Sequence, residues 1–294
     1  MKLETVGIVS PGDMGHIVGR VLRTNNLRVI TCLQDRSTRT KSLAEQAQIE
    51  DVETYAALVR EADVVLSILV PANAPHAAQA VAQALSDTHS DLLYADCNAI
   101  APQTAQQIGK LLENAGGRFI DASIIGPPPR KDGDTRFYAS GPHLSEFQQL
   151  NQFGLTVVPL GNQIGQASAI KMCYASLTKG LTALSTELLT AAEILGVSDA
   201  LKAEFQLSQA DHYARMEKGL PGIPTKSRRW VGEMEEISRT FEHVGLTPKM
   251  LAGAADMYRF VGQTELADRT PEDPTPLPSL TEMISILARS LDNQ

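Results

Sequence analysis

The sequence predicts an α/β domain with a doubly wound parallel sheet, followed by an all-helical domain. Two observations carry this prediction. Up to residue 162, short runs that are apolar almost throughout alternate with helical patterns, as in parallel strands covered by helices on both faces. From residue 163 the pattern is helical, small residues are frequent and no strand alternation occurs. We therefore expect domains at 1–162 and 163–294.

In the first domain, strands and helices are expected to alternate strictly near the start, and fewer helices are expected toward the end. In chain order, the predicted strands are ETVGIVS, RVITCL, DVVLSILV, DLLYADC, RFIDASIIG, TRFYASG and TVVPLG. The predicted helices are MGHIVGRVLRTN, RTKSLAEQAQ, APHAAQAVAQAL and PQTAQQIGKLLENAG.

The second domain is expected to begin with a long helix. Gly196 follows this helix and marks its end. The predicted helices are IGQASAIKMCYASLTKGLTALSTELLTAAEILG, SDALKAEFQLSQADHYARME, KSRRWVGEMEEISRTFEHVG, KMLAGAADMYRFVGQ and, after the proline-rich linker TPEDPTPLPS, LTEMISILARSLDN.

Composition and charge exclude several classes of protein. The 294 residues carry a formal net charge of −8, which argues against a nucleic-acid-binding surface and against broad attraction to anionic membranes. MKLETVGIVS does not have the pattern of a signal peptide, and no apolar segment is long enough to span a bilayer. The three cysteines lack metal-type spacing. We expect a cytoplasmic protein with no metal, nucleic-acid or membrane partner.

A glycine-rich loop follows the first predicted strand. Gly12 and Gly15 occupy the second and third positions of the G-x-G-x-x-G pattern of dinucleotide-binding loops, and Ser10 occupies the first. The second glycine lets the backbone approach a pyrophosphate, and the third lets the helix pack closely on the strand. We expect a Rossmann-type domain whose loop binds the cofactor through Ser10, Pro11, Gly12, Asp13, Met14 and Gly15. The alternative is a glycine turn without a cofactor.

The segment after the second strand, CLQDRSTRT, bears on which nicotinamide cofactor is bound. An acidic residue here typically binds the ribose of NAD, and Asp35 could do so. Arg36, Ser37 and Arg39 lie just behind it, and arginine suits bidentate phosphate recognition. We expect NADP(H), with NAD(H) as the alternative. These residues could also be ordinary surface positions.

Four segments together resemble the β-hydroxyacid dehydrogenase superfamily, which includes 6-phosphogluconate, 3-hydroxyisobutyrate and tartronate semialdehyde enzymes. They are GIVSPGDMG, ILVP with DCNAIAP, DASIIGPP, and GNQIGQASAIKMCYA. The resemblance implies an NAD(P)-dependent oxidoreductase and a homodimer. It also implies cofactor contacts from Leu69, Val70, Pro71 and Asn98, and substrate contacts from the third segment, with Ser123, Ile124 and Gly126.

The chain departs from the family pattern at two places. Ile125 stands where the family often has serine, and Ala175 stands where it usually has asparagine. The stretches IGPPPR and RRWVGEMEEISRTF resemble a subgroup whose C-terminal domain has no assigned function. The resemblance therefore leaves the substrate open.

Lys171 in the fourth segment is the expected general acid–base, donating a proton to a carbonyl oxygen or accepting one from a hydroxyl; the alternative is a surface lysine on a helix. Tyr174 is expected to orient the substrate, although packing explains it equally well. Asn98 and Trp230 are further candidate substrate contacts. A capping or turn role is the alternative for Asn98 and for Ser123, and packing is the alternative for Trp230. Arg130 and Lys131 form a basic pair that could attract an anionic substrate or could simply be solvated.

The leading hypothesis is an NADP(H)-dependent enzyme that interconverts a small hydroxyacid and its carbonyl form, with Lys171 as the proton donor or acceptor. Because the expected asparagine is missing, reduction of an imine is an alternative on the same fold. A non-catalytic nucleotide-binding sensor is a third possibility.

Overall fold

Among residues 3–129, 134–270, 273 and 275–292, which the computed structural model describes, eight strands form one sheet in the order β3-β2-β1-β4-β5-β6-β7-β8. The strands are β1 Thr5–Val9, β2 Arg28–Thr31, β3 Glu50–Asp51, β4 Val64–Ser67, β5 Leu93–Asp96, β6 Arg118–Ile125, β7 Arg136–Ser140 and β8 Val157–Gly161. The neighbouring strands are parallel except for β6 and β7, which are antiparallel.

The antiparallel pair departs from the fully parallel sheet that the sequence suggested. A parallel connection needs a crossover of a dozen or more residues. Only residues 126–135 separate β6 from β7, so the chain reverses direction instead.

Helices cover both faces of the sheet. They are α1 Gly15–Thr24, α2 Thr38–Gln46, α3 Tyr55–Glu61, α4 Ala74–Thr88, α5 Pro102–Asn114 and α6 Leu144–Phe147. Successive residues of one strand belong to different cores: Val64 and Leu66 pack in a cluster with α1, whereas Val65 packs in a cluster with α4 and α5. Because side chains alternate along a strand, the two clusters lie on opposite faces. The predicted doubly wound sheet is confirmed.

The chain divides into two compact units, residues 1–172 and 173–294. A long helix, α7 Gln166–Ile194, begins before this division, and the rest of the second unit is helical where it is described. Its further helices are α8 Ser198–Ser208, α9 Ala210–Gly219, α10 Pro224–His243, α11 Lys249–Gly262 and α12 Leu280–Asp292. The functional boundary expected at residue 162 stays a prediction.

Local sequence explains several helix ends. Pro102 and Pro224 occupy the first positions of α5 and α10, where a missing N–H costs nothing. Gly196 follows α7 with a φ of +71°, as its predicted role requires. The single helix expected over residues 198–217 is wrong: the structure interrupts it at Gln209, with φ −140° and ψ 36°. No glycine or proline marks this break.

Within the described part of the chain, no helix has the length and apolarity needed to cross a membrane.

Candidate active site

The segments predicted to bind a cofactor lie at one edge of the sheet. They follow the carboxyl ends of β1, β4 and β5, which are parallel to one another. Strand β6 is parallel to β5 with Asp121 opposite Asp96, so its residues 122–125 extend beyond the end of β5. Ligands of doubly wound sheets bind outside the carboxyl ends of the strands. The topology therefore brings the predicted segments of the first unit to one candidate site.

The glycine loop folds back into the start of α1. The Gly12 amide donates to the Ser10 carbonyl at 2.7 Å, and the Gly12 carbonyl accepts from the His16 amide at 3.0 Å. The His16 Nδ1 lies 2.7 Å from the same carbonyl oxygen. Ser10 has a φ of +65°, in the left-handed region where glycine is favoured. The serine therefore adopts the backbone conformation that the usual glycine would adopt more easily.

The two loop glycines have different surroundings. A Cβ atom on Gly15 would lie 2.9 Å from the Ser10 carbonyl oxygen and 3.3 Å from the Ile8 side chain. A Cβ atom on Gly12 would meet nothing within 4 Å. Gly15 is therefore required by packing, whereas Gly12 presents its backbone to open space, as a loop that admits a pyrophosphate must.

The side chains of the other loop residues make contacts within the protein. Pro11 is buried, and the side chain of Met14 packs against the core while its backbone precedes α1. The Asp13 carboxylate accepts a hydrogen bond from Arg39 at 2.5 Å and forms an ion pair with it. Asp13 thus links the glycine loop to the segment after β2.

The segment after β2 contains the residues expected to distinguish the two cofactors. Asp35 is exposed, and Ser37 caps α2 by accepting from the Thr40 amide at 3.2 Å. Arg36 donates to the Tyr55 hydroxyl at 2.8 Å, and its Nε atom is buried without a hydrogen-bond partner. An unpartnered buried guanidinium nitrogen favours an anionic or polar ligand at this position.

These features fit a dinucleotide. The open space at Gly12 and the start of α1 just behind it suit a pyrophosphate, and the unsatisfied Arg36 nitrogen lies in the segment that follows the second strand. Gly12 and the α1 start would hold the phosphates, and Arg36 would hold the adenosine end.

Asn98 is a structural link between β4 and β5. Its Oδ1 accepts from the Leu69 amide at 2.7 Å, and its Nδ2 donates to Ser67 at 3.0 Å and to Asp96 at 3.1 Å. Asn98 is 97% buried, since only 3% of its surface is exposed. Its amide therefore positions the Leu69, Val70 and Pro71 segment, and a direct contact from this amide to a ligand stays a prediction.

Lys171 is fixed by the end of β6. Its Nζ donates to the Ile124 carbonyl oxygen at 2.7 Å, and the side chain is half-buried. Lys171 lies in the second turn of α7, so its position depends on how the start of that helix is held.

Asp121 holds the start of α7, a role that no sequence motif predicted. Its carboxylate accepts from the Gly165 amide at 2.9 Å, the Ser168 amide at 3.0 Å and the Ser168 hydroxyl at 2.7 Å. The Ser140 hydroxyl also donates to it, at 3.1 Å. Burial raises the pKa of this carboxyl, and the hydrogen bonds that it accepts partly oppose that shift. A charged residue inside the apolar run RFIDASII was the available signal.

The other predicted substrate residues of the first unit have distinct surroundings. Ser123 is fully buried, and its hydroxyl has no hydrogen-bond partner. Gly126 has a φ of +128°, and a Cβ there would lie 2.2 Å from the Asp134 carbonyl oxygen, so the backbone alone requires glycine. Arg130 and Lys131 lie outside the described residues.

Tyr174 and Trp230 belong to the second unit. Tyr174 follows Lys171 by almost one helical turn of α7 and is 50% exposed, whereas Ala175 is buried. Trp230 packs edge-on against Tyr258, with ring centroids 5.3 Å apart, and the Lys179 ammonium lies 5.0 Å from its ring centroid. Trp230 thus has packing partners within its own unit, and its substrate role stays a prediction. Among the described residues, no group of His, Cys, Asp and Glu side chains could hold a metal ion.

Two family models match the chain. Residues 5–152 match the NAD binding domain of 6-phosphogluconate dehydrogenase, and residues 192–261 match a domain of unknown function, DUF1932. The second match confirms the expected subgroup, whose C-terminal domain has no assigned role.

Known proteins are similar along most of the chain. An uncharacterized 28.5 kDa protein of Methanothermus fervidus is 26% identical over 87% of this chain and 98% of its own length. A solved conserved protein of unknown function, described as structurally similar to 3-hydroxyacid dehydrogenases, is 30% identical, with a TM-score of 0.65 over 87% of this chain and 97% of that one. The 3-hydroxyisobutyrate dehydrogenase of Mycobacterium tuberculosis, solved with L-serine, shares the fold at 18% identity, with a TM-score of 0.67 over 97% and 99%.

The matched region spans the glycine loop, the segment after β2, Asn98 and the β6 strand that fixes Lys171. This chain belongs to the family defined by the NAD binding domain of 6-phosphogluconate dehydrogenase, a family of nicotinamide-dependent dehydrogenases and reductases.

Proposed function

We propose that this chain is an NADP(H)-dependent oxidoreductase that interconverts a small hydroxyacid and its carbonyl form, with Lys171 as the general acid–base. The observation that carries the proposal is the 2.7 Å hydrogen bond from the Lys171 Nζ to the Ile124 carbonyl, at the end of the strand that extends past β5. This contact supports a lysine held at the sheet edge where the glycine loop also lies.

The bound nicotinamide supplies or accepts the hydride, and the protein handles the proton. Lys171 as an ammonium donates a proton to the substrate carbonyl oxygen during reduction; as an amine it accepts the hydroxyl proton during oxidation. The Ile124 carbonyl accepts a hydrogen bond but takes no proton at neutral pH, so it orients the Nζ without competing for that proton.

Ser123 is the proposed substrate contact in the first unit. A buried hydroxyl without a partner is destabilising by roughly 1–3 kcal/mol until a ligand satisfies it. Ser123 is such a group, two residues along β6 from Asp121 and therefore on the same face of the strand. A hydroxyl or carboxylate of the substrate would satisfy it.

The preference for NADP(H) is assigned to Arg36. Tyr55 supports this guanidinium, and the remaining unsatisfied nitrogen is suited to a phosphate ester on the ribose. A clear preference for NADPH over NADH that is lost in Arg36→Ala would support this assignment.

A second candidate reaction is the reduction of an imine. Ala175 is buried and offers no amide to orient a carboxylate or hydroxyl, and Tyr174 beside it is half exposed. An iminium carbon accepts hydride without protonation of an oxygen, so this reaction depends less on Lys171 than does reduction of a carbonyl.

Turnover of a substrate panel tests the proposal. Hydroxyacids are supplied with NADP⁺ or NAD⁺, and the corresponding carbonyl compounds and cyclic imines with NADPH or NADH. Lys171→Ala should abolish hydroxyacid turnover while leaving cofactor binding intact. Lys110→Ala, at an exposed position on α5, is the matched control and should leave turnover unchanged. Imine turnover that persists in Lys171→Ala would favour the second reaction. Tight cofactor binding without any turnover would favour a sensor.

We also propose a homodimer. On α7, Tyr174, Leu177, Leu181 and Leu184 recur at helical spacing and are 40–63% exposed. An exposed apolar stripe of this kind is typical of a helix that packs against another subunit.

A further inference from the structure

The two arginines that follow β2 are held by different partners. Arg36 donates to the Tyr55 hydroxyl, a neutral group, at 2.8 Å. Arg39 donates to the Asp13 carboxylate at 2.5 Å, an acidic group that lies 26 residues earlier in the chain. The protein therefore balances the charge of Arg39 with a specific carboxylate, whereas it supports Arg36 without a charge.

The Asp13 carboxylate lies in the loop that is expected to bind an anionic pyrophosphate. It stands between Gly12 and Met14, in the loop whose open backbone faces the proposed phosphate site. A carboxylate in this loop repels an approaching anion, and the Arg39 guanidinium offsets that repulsion. The Asp13 and Arg39 side chains are 43% and 38% exposed, so a ligand in solvent can reach both groups.

The 2′-phosphate on the adenosine ribose of NADPH and the Asp13 carboxylate would both bind the N–H donors of Arg39. The guanidinium binds carboxylates and phosphates through the same planar set of N–H groups. A phosphate that engages Arg39 must therefore share it with Asp13 or displace Asp13. NADH lacks the 2′-phosphate, so this competition for Arg39 affects only NADPH.

We propose that Asp13 is a specificity-determining residue: by holding Arg39 in an ion pair, it limits the preference of the chain for NADP(H) over NAD(H). Arg36 gives the chain its preference for NADP(H) over NAD(H). Arg39 adds to this preference only when the 2′-phosphate displaces Asp13 from it. The inference rests on the proposed function, because it requires a nicotinamide dinucleotide on the glycine loop.

The first test is Asp13→Asn, which keeps the size of the side chain and removes its charge. Calorimetric titrations with NADPH and with NADH, at matched ionic strength, give the two dissociation constants. Binding of both cofactors should tighten, because repulsion of the pyrophosphate is lost. Binding of NADPH should tighten about tenfold more, which corresponds to about 1.4 kcal/mol. Glu45→Gln removes one exposed negative charge from α2 and is the control for net charge.

Arg39→Gln in both backgrounds completes a double-mutant cycle. In the native background it should change the NADPH-to-NADH preference by less than about threefold, as expected for an already neutralised exposed charge. In the Asp13→Asn background it should lower that preference about tenfold, since the phosphate then no longer competes with a carboxylate at position 13 for Arg39. Thermal melting of each variant verifies that the fold is retained.

The two levels of failure are distinguishable. Equal shifts for both cofactors in Asp13→Asn, or additive effects in the cycle, would overturn the inference and leave the proposed function in place. If the native chain binds neither cofactor, the proposed function itself fails, and the inference fails with it.

Discussion

Alanine at each of the two loop glycines is expected to separate cofactor binding from folding. The substitution is identical at both positions, and the two glycines are three residues apart in one loop. A Cβ at position 15 would lie 2.9 Å from a backbone oxygen, whereas a Cβ at position 12 would meet nothing within 4 Å. The predicted effects therefore differ in kind.

The sizes of the two effects follow from these contacts. At Gly15 the obstructing atoms belong to the Ser10 backbone and the Ile8 side chain, so relief requires a shift of the loop against α1. Overpacking of this kind is destabilising by about 1–3 kcal/mol. At Gly12 nothing must move, and alanine restricts the unfolded chain; the free energy of unfolding should change by less than about 1 kcal/mol.

Cofactor affinity, in contrast, is expected to respond directly to the substitution at Gly12. The added methyl of Gly12→Ala enters the open space that the pyrophosphate would occupy, so the dissociation constant for NADPH should rise at least about tenfold, or about 1.4 kcal/mol. Urea unfolding measures the stability of each variant, and calorimetric titration measures its affinity. Normal NADPH affinity in a folded Gly12→Ala variant would refute the assignment of this loop. A Gly15→Ala variant as stable as the native chain would refute the packing argument.

Two further predictions concern α7. Asp121→Ala leaves the Gly165 and Ser168 amides buried without an acceptor and should lower the free energy of unfolding by about 2–5 kcal/mol, measured by urea denaturation. Asp121→Asn should retain most of the stability, because one carbonyl oxygen can keep these donors. Since burial raises the folded pKa, the advantage of the native chain over Asp121→Asn should be largest in acid and decline as the pH rises through that pKa. Equal losses in both variants would contradict this account. Leu184→Glu should convert a dimer to a monomer by sedimentation equilibrium, whereas Leu207→Glu, at an exposed position on α8, should not; a monomeric native chain would exclude the dimer.

Hydrophobic periodicity was sufficient to predict most of the fold. Strands β1, β4 and β5 are nearly continuous apolar runs, and such runs have few alternatives to a buried parallel sheet. Strand β3 was missed because it consists of two exposed residues, which carry no apolar pattern. Helix α3, which has only seven residues, was missed as well. The break between α8 and α9 was missed because it lies at a glutamine, whose propensity does not mark a helix end.

The candidate site was less predictable, because its key contacts join residues that are distant in sequence. Motif spacing was sufficient to predict the glycine loop and Lys171 as site residues, since both predictions depend on local order. It could not show that Arg39 is paired with Asp13, because that contact depends on how the β2–α2 segment lies against the loop. It made Asn98 a candidate ligand contact, with a capping or turn role as the alternative; three hydrogen bonds of its side chain hold protein groups, and the ligand contact stays a prediction.

Polar residues at the ends of these strands therefore perform two different tasks. Asn98 and Asp121 are buried and accept hydrogen bonds from backbone amides, so removing either side chain would leave the amides of Leu69 or of Gly165 and Ser168 without these acceptors. Ser123 is equally buried but unpartnered, and the Arg36 Nε shares that property. A folded protein leaves few buried polar atoms unsatisfied. The Tyr94 hydroxyl and the Gln103 Oε1 are unpartnered as well, so the choice of Arg36 and Ser123 as candidate ligand contacts rests also on their place in the predicted binding segments. The distinction separates the polar groups that the protein already satisfies, in Asn98 and Asp121, from the unpartnered groups of Arg36 and Ser123, whose ligand contacts stay predictions.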